Sequence, residues 1–238
     1  MHLSLIIPAY NEAERIAATL QKADRYLTQQ SYSSEIIVVD DGSTDTTVEV
    51  VRATSLGTPL HLETLHPNRG KGTAVRQGMA CAKGKIRLFF DADASTPIEE
   101  VDKIWPCFEE GADIVIGSRA LPNSEVLLHQ AWYREFMGRI NNFLLRLLGI
   151  TRFYDTQCGF KAFTEKACAV VFPRQTIERF NFDPELLYIA AKHGLKIVEI
   201  PVRWENSPAS RLHPIRDALR MLWDLLSIRL KDWQGRYD

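Results

Sequence analysis

Ile86-Arg87-Leu88-Phe89-Phe90 runs without a break into Asp91-Ala92-Asp93-Ala94-Ser95-Thr96-Pro97. The first five residues form a mostly apolar run of strand length, and Thr96-Pro97 with Glu99 signals the start of a helix. Between them, acids and a hydroxyl stand at alternate positions. A strand whose carboxyl end delivers acids into a loop before a helix is the repeating unit of a parallel α/β sheet, and ligands bind at that edge.

The same rhythm extends outward. Short apolar runs at 3–7, 35–39, 60–65 and 113–116 read as further strands, separated by amphipathic segments of helix length. Asn11 with Glu14 signs one helix start. After Ile116 the chain passes through a polar stretch at 117–130, an arginine-bearing helix at 132–148 and a loop at 154–161. A helix opening near Asp183-Pro184, a strand at 196–203 and a final helix complete it. Nothing reads as a linker or a repeat. The expectation is one α/β domain over 1–238 with a mostly parallel central sheet flanked by helices, divided into halves at 1–118 and 119–212 and an amphipathic helix at 213–238.

The 238 residues are 45% hydrophobic and 25% charged, enough for a core without disulfides or structural metal. A formal net charge of −1 supplies no field for nucleic acid, so no nucleic-acid partner is expected. Cys81, Cys107, Cys158 and Cys168 lack metal-ligand spacing and suit a reducing compartment. No apolar run reaches the length of a membrane span, and Met1-His2-Leu3-Ser4 lacks a basic leader. A cytoplasmic protein is expected, with peripheral attachment to the cytoplasmic face of a membrane left open.

Two familiar phosphate loops are excluded: Pro8-Ala9-Tyr10-Asn11-Glu12 follows the first strand in place of a glycine-rich turn, and Gly70-Lys71-Gly72-Thr73 lacks the Walker spacing. At the second strand end, Asp40-Asp41-Gly42-Ser43-Thr44-Asp45 contains more acid than a capped turn needs. The spare carboxylate suits a base N–H or a ribose hydroxyl. On an extended chain Asp91, Asp93 and Ser95 would share one face, an all-oxygen set suited to Mg²⁺ or Mn²⁺.

Together, Pro8–Glu12, Val39-Asp40-Asp41-Gly42-Ser43, Asn68-Arg69-Gly70-Lys71-Gly72, Asp91-Ala92-Asp93, Gly117-Ser118-Arg119 and Asp155-Thr156-Gln157-Cys158-Gly159-Phe160-Lys161 resemble the inverting family-2 glycosyltransferases with the GT-A fold. Phe182-Asp183-x-Glu185-Leu186-Leu187 and Trp204 followed by Ser210-Arg211 are similar to the dolichyl-phosphate glucose and mannose synthases of that family, the glucose pattern in particular. This chain has Ala209-Ser210-Arg211 where the glucose enzymes carry Gly-Ser-Lys. The resemblance implies that Pro8, Ala9, Tyr10, Glu12, Val39, Asp41, Lys71, Asp91 and Ala92 line a nucleotide-sugar donor. It implies further that Asp91, Asp93 and Ser95 hold Mg²⁺ or Mn²⁺, and that Asp93, Arg119 and Asp155 are catalytic. UDP-glucose is favoured over GDP-mannose as donor and a polyprenyl or dolichyl phosphate as acceptor, with inversion.

A phosphate monoester has a second pKa near 6 and attacks without losing a proton, whereas a hydroxyl acceptor needs a base, for which Asp155 is the nearest candidate. Arg119, Arg134 and Arg211 are the candidates for gripping an acceptor phosphate. Gln157, Phe160 and Lys161 are assigned to the sugar site, and Cys158 to packing. A glycosyltransferase using a hydroxyl acceptor stays open, as do a nucleotidyltransferase and a non-catalytic sugar-nucleotide module. Ile215, Leu219, Leu222, Leu226, Leu230 and Trp233 recur at helical steps beside Arg216, Arg220, Arg229 and Lys231. Phe136, Ile140, Phe143 and Leu147 repeat the theme beside Arg134, Arg139 and Arg146. Each stripe suits core packing or a membrane surface; Met221, Trp223, Leu225 and Ile228 widen the last one toward an interfacial helix or an oligomer contact.

Overall fold

Leu3, Leu5, Ile7 and Ala9 of strand β1 (Leu3–Ala9) lie in one apolar core, and Ile6 between them lies in a second. A strand buried on both faces is the central strand of a sheet with helices on each side, which is why its sequence reads as a continuous apolar run. The computed structural model describes residues 1–128, 144–146, 148–179, 181–205 and 214–238, without side-chain placement for 128 and 214–222.

The other strands are β2 (Ser34–Asp40), β3 (Leu60–Thr64), β4 (Ile86–Phe90), β5 (Ile114–Ser118), β6 (Glu125–Leu128), β7 (Phe160–Thr164), β8 (Ile197–Pro201) and β9 (Arg203–Glu205). Seven form one sheet in the order β3-β2-β1-β4-β7-β5-β8. Every neighbouring pair is parallel except those of β7, which runs antiparallel to both β4 and β5. β6 and β9 pair separately as a parallel ribbon. Helices α1 (Ile16–Leu27) and α2 (Thr47–Ala53), a 3₁₀ turn at Ile98–Lys103 and helix α4 (Ile104–Glu109) pack into the core on one face. Helix α3 (Lys71–Cys81) shares the other core with α5 (Glu165–Val171), α6 (Phe182–Lys192) and α7 (Pro214–Trp233).

The early strands lie where the apolar runs place them. The run expected as one strand over 196–203 divides into β8 and β9: Val202 N still bonds Ser118 O, but Glu205 N bonds Ser95 O, so the chain leaves the main sheet there. β6 and β7 are additions, the first inside the polar stretch 117–130 and the second beginning within the loop expected at 154–161.

Asn11 does not cap α1. It has φ 54°, and its Oδ1 accepts from Thr44 N (2.7 Å) and Asp45 N (3.3 Å) while its own N–H donates to Ser43 Oγ (2.8 Å). It therefore staples the first strand-end loop to the second. The acid that caps α2 is Asp45, accepting from Thr47 N at 3.0 Å. Thr96-Pro97 opens the 3₁₀ turn rather than an α-helix. The helix expected at 132–148, with Arg134, and the segment carrying Arg211 lie outside the described residues, apart from short pieces of the former.

The final helix belongs to the core on one side: Leu225 and Ile228 are fully buried, and beyond it buried Tyr237 donates through its hydroxyl to Glu185 Oε1 at 2.6 Å. On another side Trp223 (68% exposed), Leu226 (47%), Leu230 (50%) and Trp233 (86%) face outward at three- and four-residue steps. Among the described residues no helix is long and apolar enough to cross a membrane.

Candidate active site

The two adjacent acids after β2 have different tasks. Asp40 closes its own turn, accepting from Ser43 N (3.0 Å) and from the Ser43 hydroxyl. Asp41 reaches the loop before α3: Oδ1 accepts from Arg69 N (2.9 Å), and Oδ2 from Gly70 N (2.7 Å) and Asn68 Nδ2 (2.9 Å). Amides at a helix start need acceptors, and a carboxylate there is favoured by the helix dipole. Burial nonetheless pushes the Asp41 carboxyl above its ordinary range. Gly70 sits at φ 112°, and a Cβ on it would meet Glu178 O at 2.7 Å, so this loop is also wedged against the loop before α6.

Pro8 and Ala9 are buried within β1, and the Val39 side chain is wholly buried in the core with Ala74 and Val75. Val39 thus offers no side-chain surface to a donor. Tyr10, 39% exposed, stands at the open edge. The Glu12 carboxylate holds Arg15 (Nη2 to Oε1, 2.8 Å), whose guanidinium lies close enough to Asp91 and Asp93 for their charges to stabilise it.

Asp91, Asp93 and Ser95 do not alternate along an extended chain, as the sequence suggests. The chain turns there, with Ala94 N bonding Asp91 O at 3.0 Å and Ala94 at φ 50°. Ser95 is buried and donates its N–H to Asp93 Oδ1 (3.0 Å), so it orients Asp93 instead of lining up with it. Ala92 O accepts from Thr19 Oγ1 at 2.7 Å, anchoring the turn to α1. Burial, and then the charge of Asp91, raise the Asp93 carboxyl. Two neighbouring carboxylates that repel one another in a partly buried turn suit an oxygen-liganded divalent cation. Among the described residues no group of three or more His, Cys, Asp or Glu side chains is placed to hold a metal ion.

Behind the turn, opposite charges alternate around Phe89. Lys71 pairs with Asp91 at 2.6 Å and lies over the Phe89 ring at 5.0 Å; Lys161 pairs with Asp183 at 2.6 Å and lies 5.6 Å from the same ring. Lys161 is fully buried and also donates to Cys158 O, so it cannot touch a sugar; its expected place there is corrected to an internal ion pair. Burial opposes the charge on Lys71, but Asp91, Asp183 and Asp93 outweigh it and raise the ammonium's pKa. Cys158 is buried, its thiol pushed up to about 11 by burial, and is inert as a nucleophile.

On the far side of the turn, Arg119 grips Asp155 bidentately, Nε to Oδ2 at 2.6 Å and Nη2 to Oδ1 at 2.9 Å. Asp155 also accepts from Arg119 N (3.0 Å) and Gln157 N (3.1 Å). Burial opposes its charge, yet the Arg119 guanidinium and these bonds hold the carboxyl at about 2. A carboxylate with four donors and so low a pKa is unsuited to the general-base role the sequence allows it. Glu199 fixes the loop from below, accepting from Tyr154 N (3.1 Å) and Asp155 N (2.8 Å), and Trp204 lies under Arg119 at 5.3 Å.

Residues 4–172 match the family model described as Glycosyl transferase family 2. The chain belongs to that family. Curated relatives include the dolichyl-phosphate beta-glucosyltransferases of Mus musculus, 37% identical with 99% of this chain and 77% of that protein aligned, and of Homo sapiens, 36% identical with the same coverage. A solved structure of similar fold is glucosyl-3-phosphoglycerate synthase from Mycobacterium tuberculosis in complex with Mn²⁺, UDP and glucosyl-3-phosphoglycerate. It has TM-score 0.71 and 19% identity, covering 97% of this chain and 79% of that one. The fold is the GT-A fold, and the protein is a glycosyltransferase.

In this family-2 glycosyltransferase the fold gathers Lys71, Asp91 and Asp93 at one sheet edge, with Arg15 brought in by Glu12. Arg119 and Asp155 stand together beside them, near enough for the Asp91 charge to act on Arg119. Arg134 and Arg211 lie outside the described residues. Arg15, Asp183, Glu185 and Glu199 also have tasks here, which their places in the sequence do not announce. Glu185, fully buried, accepts from Thr176 N and Ile177 N and so shapes the loop that packs on α3. The signals were faint: an acid within the apolar run Ile197-Val198-Glu199-Ile200, and the two acids of Phe182-Asp183-Pro184-Glu185.

Proposed function

We propose that this enzyme transfers glucose from UDP-glucose to the phosphate of a polyprenyl or dolichyl phosphate, with inversion at the anomeric carbon. The observation that carries the reading is the saturation of Asp155. The acid nearest the acceptor side is engaged by four donors and held at about 2, which favours an acceptor that arrives already able to attack. A phosphate monoester is largely a dianion at neutral pH and does so. Arg119, fixed in orientation by Asp155 and Trp204, supplies a permanent positive charge beside the reacting groups. The names of the curated relatives support the same donor sugar, acceptor and β-linked product.

Asp91 and Asp93 are the residues that would hold Mg²⁺ or Mn²⁺, which when bound neutralises the charge growing on the departing nucleoside diphosphate. The Mn²⁺ and UDP complex of the mycobacterial synthase supports a divalent cation. Lys71 and Arg15 add positive charge on the same side, and Tyr10 stands where a base can lie against it. The outward stripe of α7 fits peripheral attachment to the cytoplasmic face of a membrane, where a lipid-linked acceptor resides.

The test is to incubate the protein with UDP-glucose or GDP-mannose and with polyprenyl phosphate, polyprenol or no acceptor, and to identify products by mass and anomeric coupling. UDP and a β-linked polyprenyl phosphoglucose are expected. Efficient transfer to polyprenol, or a preference for GDP-mannose, would overturn the acceptor or the donor assignment respectively.

A further inference from the structure

Lys71 Nζ lies 2.6 Å from Asp91 Oδ1, on one of the two carboxylates assigned to the cation. An ammonium at that distance neutralises the carboxylate and occupies a coordinating lone pair. The backbone of Lys71 is not free to retreat. It opens α3, whose entrance is held by Asp41 through the Arg69 and Gly70 N–H groups, and Thr73 N two residues on bonds Glu178 O at 3.0 Å. Its side chain, 25% exposed, is the movable part. The other acid beneath it, Asp183, has Lys161 at 2.6 Å.

We propose that Lys71 is an internal counter-ion for Asp91, released when the donor's diphosphate offers the ammonium a better anion. The cation and the nucleoside diphosphate then bind as a coupled pair, and the cation binds weakly when alone. Releasing Lys71 frees Asp91 to face the cation, and the cation helps hold the diphosphate that drew Lys71 away; by linkage, each ligand tightens the other by the same factor. The inference rests on the reading of Asp91 and Asp93 as the cation site.

Free Mn²⁺ measured by electron paramagnetic resonance tests it, with the full-length wild type, Lys71→Met, Lys71→Gln and Asp91→Asn, each with and without UDP. In the wild type, UDP should tighten Mn²⁺ binding about ten-fold or more. Both Lys71 variants should bind Mn²⁺ about ten-fold tighter than wild type without UDP, and should respond less to UDP than wild type does, keeping only the part that direct contact between cation and diphosphate supplies. Two variants are used so that failure of one to fold leaves the comparison intact. Unchanged or weaker Mn²⁺ binding by the Lys71 variants without UDP would overturn the counter-ion. Absence of Mn²⁺ binding by wild type at saturating UDP, or full binding by Asp91→Asn, would instead overturn the cation site on which it rests.

Discussion

The Asp91 carboxylate lies where Gly159 would otherwise carry a side chain: a Cβ on Gly159 would stand 1.8 Å from Asp91 Oδ2. The contact is reinforced by Asp91 N donating to Gly159 O at 3.1 Å. The turn that carries the acids and the loop that carries Asp155 are therefore built against each other, and the glycine between Cys158 and Phe160 is a requirement of the site more than of its own backbone.

Gly159→Ala should fold but push the Asp91 carboxylate aside. Displacement of a catalytic group by about 1 Å costs about 100-fold in rate. We expect a loss of that order in kcat/KM, with weaker Mn²⁺-dependent UDP binding and near-native circular dichroism. Wild-type kinetics in this variant would show that Asp91 need not occupy its present position.

The pH dependence separates the two acceptor classes. The Asp155 carboxyl is depressed to about 2 from an ordinary value of about 3.9. Its stabilising pair with Arg119 is fully present above pH ~4 and is lost only as pH falls toward ~2. No limb of the activity profile near neutrality should then belong to Asp155. With a phosphate acceptor, kcat/KM should rise through about pH 6 as the monoester becomes a dianion, and an acceptor phosphonate with a different second pKa should move that limb. A limb that stays put when the acceptor changes would assign it to the enzyme. Asp155→Asn, which leaves the partly exposed Arg119 half-paired, should cost about 1–3 kcal/mol of stability, read by denaturant unfolding.

Lys161→Met strands the Asp183 carboxylate inside the core. Removing one partner of a buried pair costs about 3–5 kcal/mol. Burial already raises the Asp183 carboxyl, so the folded state binds its proton more readily than the unfolded chain does, and stability lost at pH 8 should be partly regained toward pH 5. Adding Asp183→Leu should restore much of the stability at pH 8, since both charges are then gone. Thermal unfolding of both variants at the two pH values decides it; an equal deficit for the single variant at pH 8 and pH 5 would contradict the pairing.

Replacing Trp223, Leu226, Leu230 and Trp233 together with serine should abolish flotation with phosphatidylglycerol-containing liposomes and leave UDP binding intact. These side chains are exposed, so the fold should tolerate the change. Deleting 214–238 would be a poorer test, because it also removes buried Leu225, Ile228 and Tyr237. Retained flotation by the quadruple variant would place membrane contact elsewhere.

What the sequence made legible follows from how local each feature is. β1, β2 and β4 are apolar on both faces and announce themselves; β7 does not, because its second residue is a lysine whose acid partner, Asp183, lies on a helix far along the chain. The acids at strand ends were visible as a group, but their geometry was not. The left-handed backbone at Ala94 converts an extended alternation into a turn, and alanine gives no warning of it. Asn11 reads as a helix cap by residue type alone; only the approach of Thr44 and Asp45 from another loop gives it a different task. Asp155 was legible as an acid near the acceptor, whereas its saturation depends on Arg119, from a strand end well before it in the chain.

The antiparallel strand β7 has a consequence for how the chain is made. β5 has no edge in common with β4: β7, from residues 160–164, fills the space between them and bonds to both. During synthesis β5 emerges long before its neighbour exists, and must wait for about another forty residues of chain, some seconds of translation, before it can join the sheet. Residues 1–118 therefore contain β5 without the strand that joins it to β4. A chain cut after residue 118 would leave β5 as an orphan strand and Asp91 without the Gly159 carbonyl that its N–H bonds.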